Sequence, residues 1–138
     1  LLLTERREHA KTLATLLEAK SISSVVLRGG MRVKERRAAE SQLHEAQVIV
    51  ATGKYIGEGF DLPRLDTLFL ALPIAWKGTL SQYAGRIHRD ADGKQEVTVY
   101  DYLDNSLPML ERMFRKREKG YKAMGYQFAQ SEPQTRLL

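Results

Sequence analysis

The chain contains the run Val48-Ile49-Val50-Ala51, in which no polar residue interrupts the apolar ones. The run Leu68-Phe69-Leu70-Ala71-Leu72 follows later and has the same character. A strand with one face in water alternates apolar and polar residues, whereas a strand that is buried on both faces is apolar throughout. We therefore predict that both runs are central strands of a sheet that is covered on both faces.

Outward from these runs, short apolar segments alternate with longer segments of helical periodicity. This order predicts an α/β fold: an open parallel β-sheet of about five or six strands with helices on both faces. Ligands of such sheets bind at the carboxyl ends of the strands, so we expect the functional site in the loops there. The remaining predicted elements are strands at Leu1–Leu3, Val25–Leu27 and Val97–Tyr102 and helices at about 5–19, 33–45, 78–89 and 108–124.

The length of 138 residues suits one domain, which we place at 1–138 with a frayed tail at 129–138. Because the chain does not begin with Met, we expect it to be a piece of a longer polypeptide. The absence of cysteine excludes disulfides, thiolate metal sites and thiol nucleophiles. The histidines are scattered, and we predict no metal site. No apolar run approaches the ~18 residues that span a bilayer, so we predict a cytoplasmic protein without a membrane partner.

Basic residues number 22 against 17 acidic ones, and the formal net charge is +5. The segment 28–37 carries five basic residues and one acid, and 112–122 carries six and one. Clustered positive charge favours a polyanionic partner such as nucleic acid. For each segment taken alone, the alternative is the solvated face of an ordinary helix.

Four residues at helical spacing form the strongest candidate site: Gln82, Gly85, Arg86 and Arg89. Their spacing would place them on one face of a helix, with both guanidinium groups pointing the same way. Neighbouring like charges repel, so a bound anion would relieve them, and the planar guanidinium suits phosphate oxygens. Gly85 would let a ligand approach closely. The alternative is a charged outer face of a surface helix.

The connection between the two central runs predicts a second binding element. Gly53, Gly57 and Gly59 would let backbone amides turn toward a phosphate, and Thr52 adds a hydroxyl. Asp61 is suited to a ribose hydroxyl. The alternative is an ordinary connection in which Asp61 caps a helix.

The pair Gly53-Lys54 does not belong to a phosphate-binding P-loop. Tyr55 follows the lysine where the motif requires Ser or Thr, and Val48 stands where the first glycine should be. The chain by itself therefore lacks a complete nucleoside triphosphatase site.

Together these segments resemble the second RecA-like motor domain of superfamily 2 helicases and translocases of the DEAD/DEAH type. The segment Gln82-Tyr83-Ala84-Gly85-Arg86-Ile87-His88-Arg89 is similar to motif VI, and Ala51-Thr52 with Gly57-Glu58-Gly59-Phe60-Asp61 is similar to motif V. Leu1–Arg6 resembles motif IV, and Arg28-Gly29-Gly30-Met31 resembles the turn that follows it. The residues at 58–63 and 76–82 resemble those of the repair and restriction-type DNA helicases more than those of the RNA helicases.

The resemblance implies an ATP-dependent helicase or translocase of which this chain is the second motor domain, inactive when isolated. It implies that ATP and Mg²⁺ are held mainly by an N-terminal RecA-like domain and that nucleic acid, in particular DNA, is the other partner. The alternative is a degenerate motor half that only binds nucleic acid or a protein. The implied roles are catalytic for Arg86, Arg89 and Gln82, nucleotide-binding for Gly57, Gly59, Asp61 and Gly85, and nucleic-acid-binding for Thr4, Arg28, Gly29, Gly30, Thr52, Gly53 and Lys54.

Overall fold

The computed structural model describes residues 1–56, 61–74, 77–104 and 106–129, with residues 54, 56, 77 and 78 described for their backbone only. These residues form five strands and five helices. The strands are β1 (Leu2–Thr4), β2 (Ser24–Leu27), β3 (Val48–Thr52), β4 (Thr67–Leu70) and β5 (Thr98–Asp101). The helices are α1 (Arg7–Ala19), α2 (Val33–Ser41), α3 (Gly53–Ile56), α4 (Lys77–Gly85) and α5 (Pro108–Ala123).

The strands form one sheet in the order β2-β3-β1-β4-β5, and all four pairings are parallel. The prediction of an open parallel sheet is therefore confirmed. The connection from β1 to β2 runs toward one edge of the sheet, whereas those from β2 to β3 and from β4 to β5 run toward the other. Because such connections are right-handed, α1 lies on one face and α2 and α4 lie on the opposite face.

The core lies on the face of the sheet that α2 and α4 cover. The side chains of Leu3, Leu27, Ile49 and Leu68 are completely buried there, and Leu80 of α4 packs onto them. Burial of apolar surface of this kind is the main stabilising contribution to the fold.

The prediction that both central runs are buried on both faces holds for β3 and not for β4. Val50 of β3 is completely buried on the face that α1 covers. In β4, Leu68 and Leu70 are buried, whereas Phe69 is only half-buried. Helix α1 packs against β2 and β3, and Phe69 lies beyond it, stacked on Tyr100 of β5 with 5.0 Å between the ring centroids. A continuous apolar run therefore does not by itself reveal which part of a face is covered.

The helix predicted at about 78–89 ends at Gly85. The amide of Arg86 donates to the carbonyl of Tyr83 at 3.1 Å and that of Ile87 to Ala84 at 3.0 Å, which is the tighter bonding of a turn. Glycine is a poor helix residue, and the turn lets Ile87 enter the core. The spacing predicted that Arg86 and Arg89 lie on one face of a helix. This prediction is wrong, because both residues follow the end of α4.

The other boundary differences are small. Helix α2 ends at Ser41 rather than at 45, and the short helix α3 occupies the start of the glycine-rich connection. Most of the tail predicted at 129–138 lies outside the described residues. No helix in the described ranges is long and apolar enough to cross a membrane.

Candidate functional site

The residues predicted to bind nucleic acid meet at the carboxyl edge of the sheet. Thr4 ends β1 and Thr52 ends β3, and the two are register partners in adjacent strands. Arg28 directly follows β2, the other neighbour of β3. The amide of Gly29 donates to the hydroxyl of Thr52 at 3.3 Å. The topology therefore brings three separate segments of the sequence into one surface.

The two threonines hold this surface together. Thr4 is 1% exposed and Thr52 is 5% exposed, so neither hydroxyl faces solvent. The Thr4 hydroxyl shares a hydrogen bond of 2.6 Å with Nδ1 of His9. Accessible groups at this edge include the partly exposed Arg28 and Gly29 and the exposed Gly30.

Arg7 belongs to the same surface, although the sequence reasoning did not single it out. Its Nη2 donates to the carbonyl of Gly29 at 3.2 Å, and a Cβ on Gly30 would lie within 2.4 Å of that nitrogen. Gly30 also has a φ of +76°, which favours glycine. The available signal was a basic residue at the start of α1, three residues after the end of β1. We define the carboxyl-edge surface as Arg7, Arg28, Gly29 and Gly30.

Gly53 begins α3 and lies in direct contact with Tyr83 of α4. A Cβ on residue 53 would stand 2.4 Å from the Tyr83 hydroxyl oxygen and 3.2 Å from Cζ, so only glycine fits without displacement. Tyr83 is buried, and burial raises the pKa of its phenol. The segments similar to motifs V and VI therefore touch at this point. The side chain of Lys54 lies outside the description.

Arg89, one of the predicted catalytic residues, lies at the opposite end of the sheet. The Nζ of Lys94 donates to the carbonyl of Arg89 at 2.5 Å and to that of Pro63 at 3.2 Å. Pro63 and Lys94 precede β4 and β5, so Arg89 lies near the amino ends of these strands. The expectation that the whole site is built from carboxyl-end loops is wrong for this part, because α4 runs back along the sheet before the arginines begin.

Arg89 forms an ion pair with Asp61, with 3.4 Å between Nε and Oδ1. The two side chains are 60% and 51% exposed, so the pair is open to solvent. Gln82, Gly85 and Arg89 are exposed and Arg86 is partly buried. The structure thus brings Asp61 to Arg89. Gly57 and Gly59, also predicted to bind nucleotide, lie outside the described residues.

His88 stands between the two arginines and contacts the end of α5. Its Nε2 shares a hydrogen bond of 2.5 Å with the hydroxyl of Tyr126, and the two rings lie 5.5 Å apart. Tyr126 is placed by the end of α5, where Gly125 has a φ of +89° and the Tyr126 amide donates to the carbonyl of Tyr121 at 3.0 Å. This is the Schellman ending that glycine favours. Sequence reasoning missed Tyr126, although Gly125 marks the turn that aims it.

A buried ion pair holds α5 to the sheet. Arg117 and Asp101 form two hydrogen bonds of 2.8 and 2.9 Å, and the Tyr121 hydroxyl donates to the same carboxylate at 2.7 Å. Arg117 also donates to the carbonyl of Ile74 at 2.6 Å, just before α4. Burial and this hydrogen bond raise the pKa of Tyr121 above its ordinary range. Because Arg117 is 4% exposed, it does not contribute to a surface patch at 112–122.

Comparisons with known proteins show the family to which the chain belongs. The family described as the helicase conserved C-terminal domain matches residues 1–91. Protein 108L of Invertebrate iridescent virus 3 is 36% identical over 89 residues, which are 64% of this chain and 81% of that protein. Two further relatives are the putative helicase 161L of Invertebrate iridescent virus 6 and the transcript termination protein A18 of Fowlpox virus. The match to this chain spans only 17% of the first and 25% of the second.

Solved structures show the same fold. The DEAD-box protein SrmB of E. coli, solved bound to RraA, is 25% identical with a TM-score of 0.61, over 71% of this chain and 57% of that one. The C-terminal domain of the DEAD-box protein Dbp5 is 19% identical with a TM-score of 0.67, over 90% of this chain and 68% of that one. The leaning toward repair and restriction-type DNA helicases stays a prediction. The chain belongs to the helicase conserved C-terminal domain family, the second RecA-like domain of superfamily 2 helicases.

Proposed function

We propose that this domain completes the ATP site of a nucleic-acid helicase or translocase by supplying Arg86 and Arg89 to nucleotide held on an N-terminal RecA-like domain. The observation that carries the proposal is the exposed ion pair of Arg89 with Asp61, at the end of the sheet away from the carboxyl-edge surface. An exposed pair contributes at most about 1 kcal/mol, so a triphosphate can displace the carboxylate. Arg89 is thereby held in place and still available.

The donor set fits a nucleotide. Two guanidinium groups three residues apart can donate hydrogen bonds to an anion. Arginine fingers that stabilise charge on a transferring phosphoryl group raise the rate of transfer by roughly 10³–10⁵. Asp61, once displaced from Arg89, can accept a hydrogen bond from a ribose hydroxyl, with Gln82 and Gly85 beside the nucleotide. We assign Mg²⁺ and most ATP contacts to the N-terminal domain, as the resemblance to the helicase family implies.

The carboxyl-edge surface is assigned to the nucleic-acid backbone. Arg7 and Arg28 provide charge, and Gly29 and Gly30 provide a backbone that a phosphate can approach closely. Contacts to phosphate carry no sequence information, so binding through this surface is tolerant of sequence. We propose DNA as the polymer, because Gln82 stands where motif VI of the RNA helicases begins with histidine. Competition between DNA and RNA strands of equal length tests this choice.

The two assigned surfaces are linked through α4. Nucleotide that engages Arg86 and Arg89 acts on the turn after α4, and Tyr83 of α4 presses against Gly53, directly after Thr52. Closure of the two motor domains around ATP would therefore shift the carboxyl edge, and hydrolysis would reverse the shift. Movement along the strand follows from this cycle.

The decisive experiment replaces Arg89 by alanine in a protein that also contains the N-terminal domain, either on the same polypeptide or added as a separate chain. We expect nucleic-acid-stimulated ATP hydrolysis to fall by roughly 10³-fold or more, whereas nucleic-acid affinity changes little. Arg115→Ala is the matched control, because Arg115 is an exposed, ion-paired arginine on α5. Unchanged turnover in Arg89→Ala would refute the proposal.

A further inference from the structure

A cavity of about 320 Å³ lies beside the carboxyl-edge surface, where β1, β4 and β5 end. Leu72 and Leu110 form apolar walls, and Tyr102, His9 and Asp104 also line it. We propose that this cavity receives one unstacked base of the bound nucleic-acid strand. The inference rests on the proposed function and adds base contact to a surface that otherwise holds only the backbone.

His9, which lines the cavity, is bonded to Thr4 at the carboxyl edge of the sheet. The Nδ1 of His9 is 2.6 Å from the Thr4 hydroxyl, and Thr4 is the register partner of Thr52, which holds Gly29. The strand ends β2, β3, β1, β4 and β5 follow one another along this edge in that order. A strand whose phosphates follow β2, β3 and β1 therefore reaches the cavity next.

The charges around the cavity favour a neutral ring over a phosphate. Arg117 reaches the wall, but its guanidinium is paired with Asp101 by two hydrogen bonds. The Asp104 carboxylate, which accepts hydrogen bonds from the Ser106 amide and hydroxyl, would repel a phosphate. A base has no charge, and its polar edge suits the carboxylate and the His9 ring.

The size and the aromatic wall suit a base as well. Ligand pockets in proteins begin at roughly 300 Å³ and are mostly apolar with a few polar groups. The Tyr102 side chain is 52% exposed, so part of its ring is available for stacking. Bases of single strands stack on such aromatic side chains without regard to sequence.

The test compares two strands of equal length and charge, an oligothymidylate and the same backbone with abasic sites, by fluorescence anisotropy at one salt concentration. We expect the wild-type chain to bind the intact strand roughly tenfold more tightly, the size of effect that one stacked base produces. Tyr102→Ala should abolish this preference, and Tyr102→Phe, which keeps the ring, should retain it. Tyr100→Ala is the matched control, since Tyr100 is 50% exposed on β5 and does not line the cavity.

The outcomes separate the cavity from the function. Equal binding of both strands by the wild type would overturn the base site and leave the proposed function standing, whereas no binding of either strand would count against both. Equal losses for both strands in Tyr102→Ala would also overturn the base site, because a structural defect has that effect. Saturable binding of free thymidine without any preference for the intact strand would assign the cavity to a free nucleoside instead.

Discussion

The hydroxyl of Tyr83 lies against Gly53, so close that a Cβ on residue 53 would stand 2.4 Å from the phenolic oxygen. One residue begins the helix after β3 and the other lies in α4, so the contact joins the segments similar to motifs V and VI. Tyr83 is buried. The glycine is therefore required by the tertiary contact, in addition to any role in binding.

We expect Gly53→Ala to destabilise the domain by about 1–3 kcal/mol, the usual cost of overpacking. Tyr83→Phe removes the nearest atom, so the double variant Gly53→Ala/Tyr83→Phe should recover part of the loss. Gly85→Ala is the control, because a Cβ there meets no atom within 4 Å. Urea unfolding gives the free energy of unfolding of the wild type, the three single variants and the double variant. If alanine costs the same with and without the Tyr83 hydroxyl, the contact does not limit residue 53.

Two of the ion pairs, Arg117 with Asp101 and Arg89 with Asp61, should differ sharply in their contribution to stability. Arg117→Met leaves the Asp101 carboxylate buried and poorly compensated, for which we expect a loss of about 3–5 kcal/mol. Asp61→Asn breaks the exposed pair with Arg89 and should cost less than about 1 kcal/mol. Thermal and urea unfolding of both variants give the comparison, and similar losses would contradict it.

The contact between His88 and Tyr126 should hold the turn that carries the arginines. We expect Tyr126→Phe and His88→Ala each to destabilise the domain, with a coupling energy between them of about 0.5–1.5 kcal/mol. A double-mutant cycle measures this coupling. Additive losses would show that the two side chains do not interact in solution.

Tyr121 should make stability depend on pH at the alkaline end. Burial, followed by its hydrogen bond to Asp101, raises the pKa of this phenol above 10.0. The folded state then holds the proton more tightly than the unfolded chain, so stability is complete below about pH 10 and falls as the pH rises further. We expect Tyr121→Phe, which has no such proton to lose, to show a flatter decline in unfolding free energy between about pH 9 and pH 11. Parallel declines would exclude Tyr121 as the cause.

Arg28 should contribute one phosphate contact. We expect Arg28→Ala to weaken nucleic-acid binding and to make the plot of log affinity against log salt shallower by about one unit. Arg115→Ala, which removes an arginine of α5 outside the carboxyl-edge surface, should leave the slope unchanged. Equal changes of slope in the two variants would mean that nucleic-acid binding depends only on the net charge of the domain and that Arg28 makes no specific phosphate contact.

Several features could be predicted before any coordinates were known. The apolar runs placed β3 and β4 in the sheet, and the alternation with helical segments gave the parallel arrangement, because periodicity and apolar length are local properties of a sequence. The resemblance of the residues at motifs IV, V and VI indicated the family. The carboxyl-edge position of Thr4, Arg28 and Thr52 followed as well, since parallel strands end on the same side.

Other features could not be read from spacing. The residues Gln82, Gly85, Arg86 and Arg89 have helical spacing, yet the helix ends at Gly85 and the chain continues in a turn. Arg117 is one of six basic residues in its segment, and no local pattern separates it from the exposed ones. Its burial depends on Asp101, which lies sixteen residues earlier in the chain.

The order of residues alone determined the class of fold and indicated the family, because these depend on periodicity and on motifs within short segments, and it predicted the roles of Arg86 and Arg89. Only the tertiary structure decided that Arg89 and the carboxyl-edge surface lie at opposite ends of the sheet, that Asp61 reaches Arg89, and that Tyr126 reaches His88. Each of these depends on how far a helix runs back along the sheet and on which distant side chains it meets. Such contacts arise from packing of the whole chain, and no local segment encodes them.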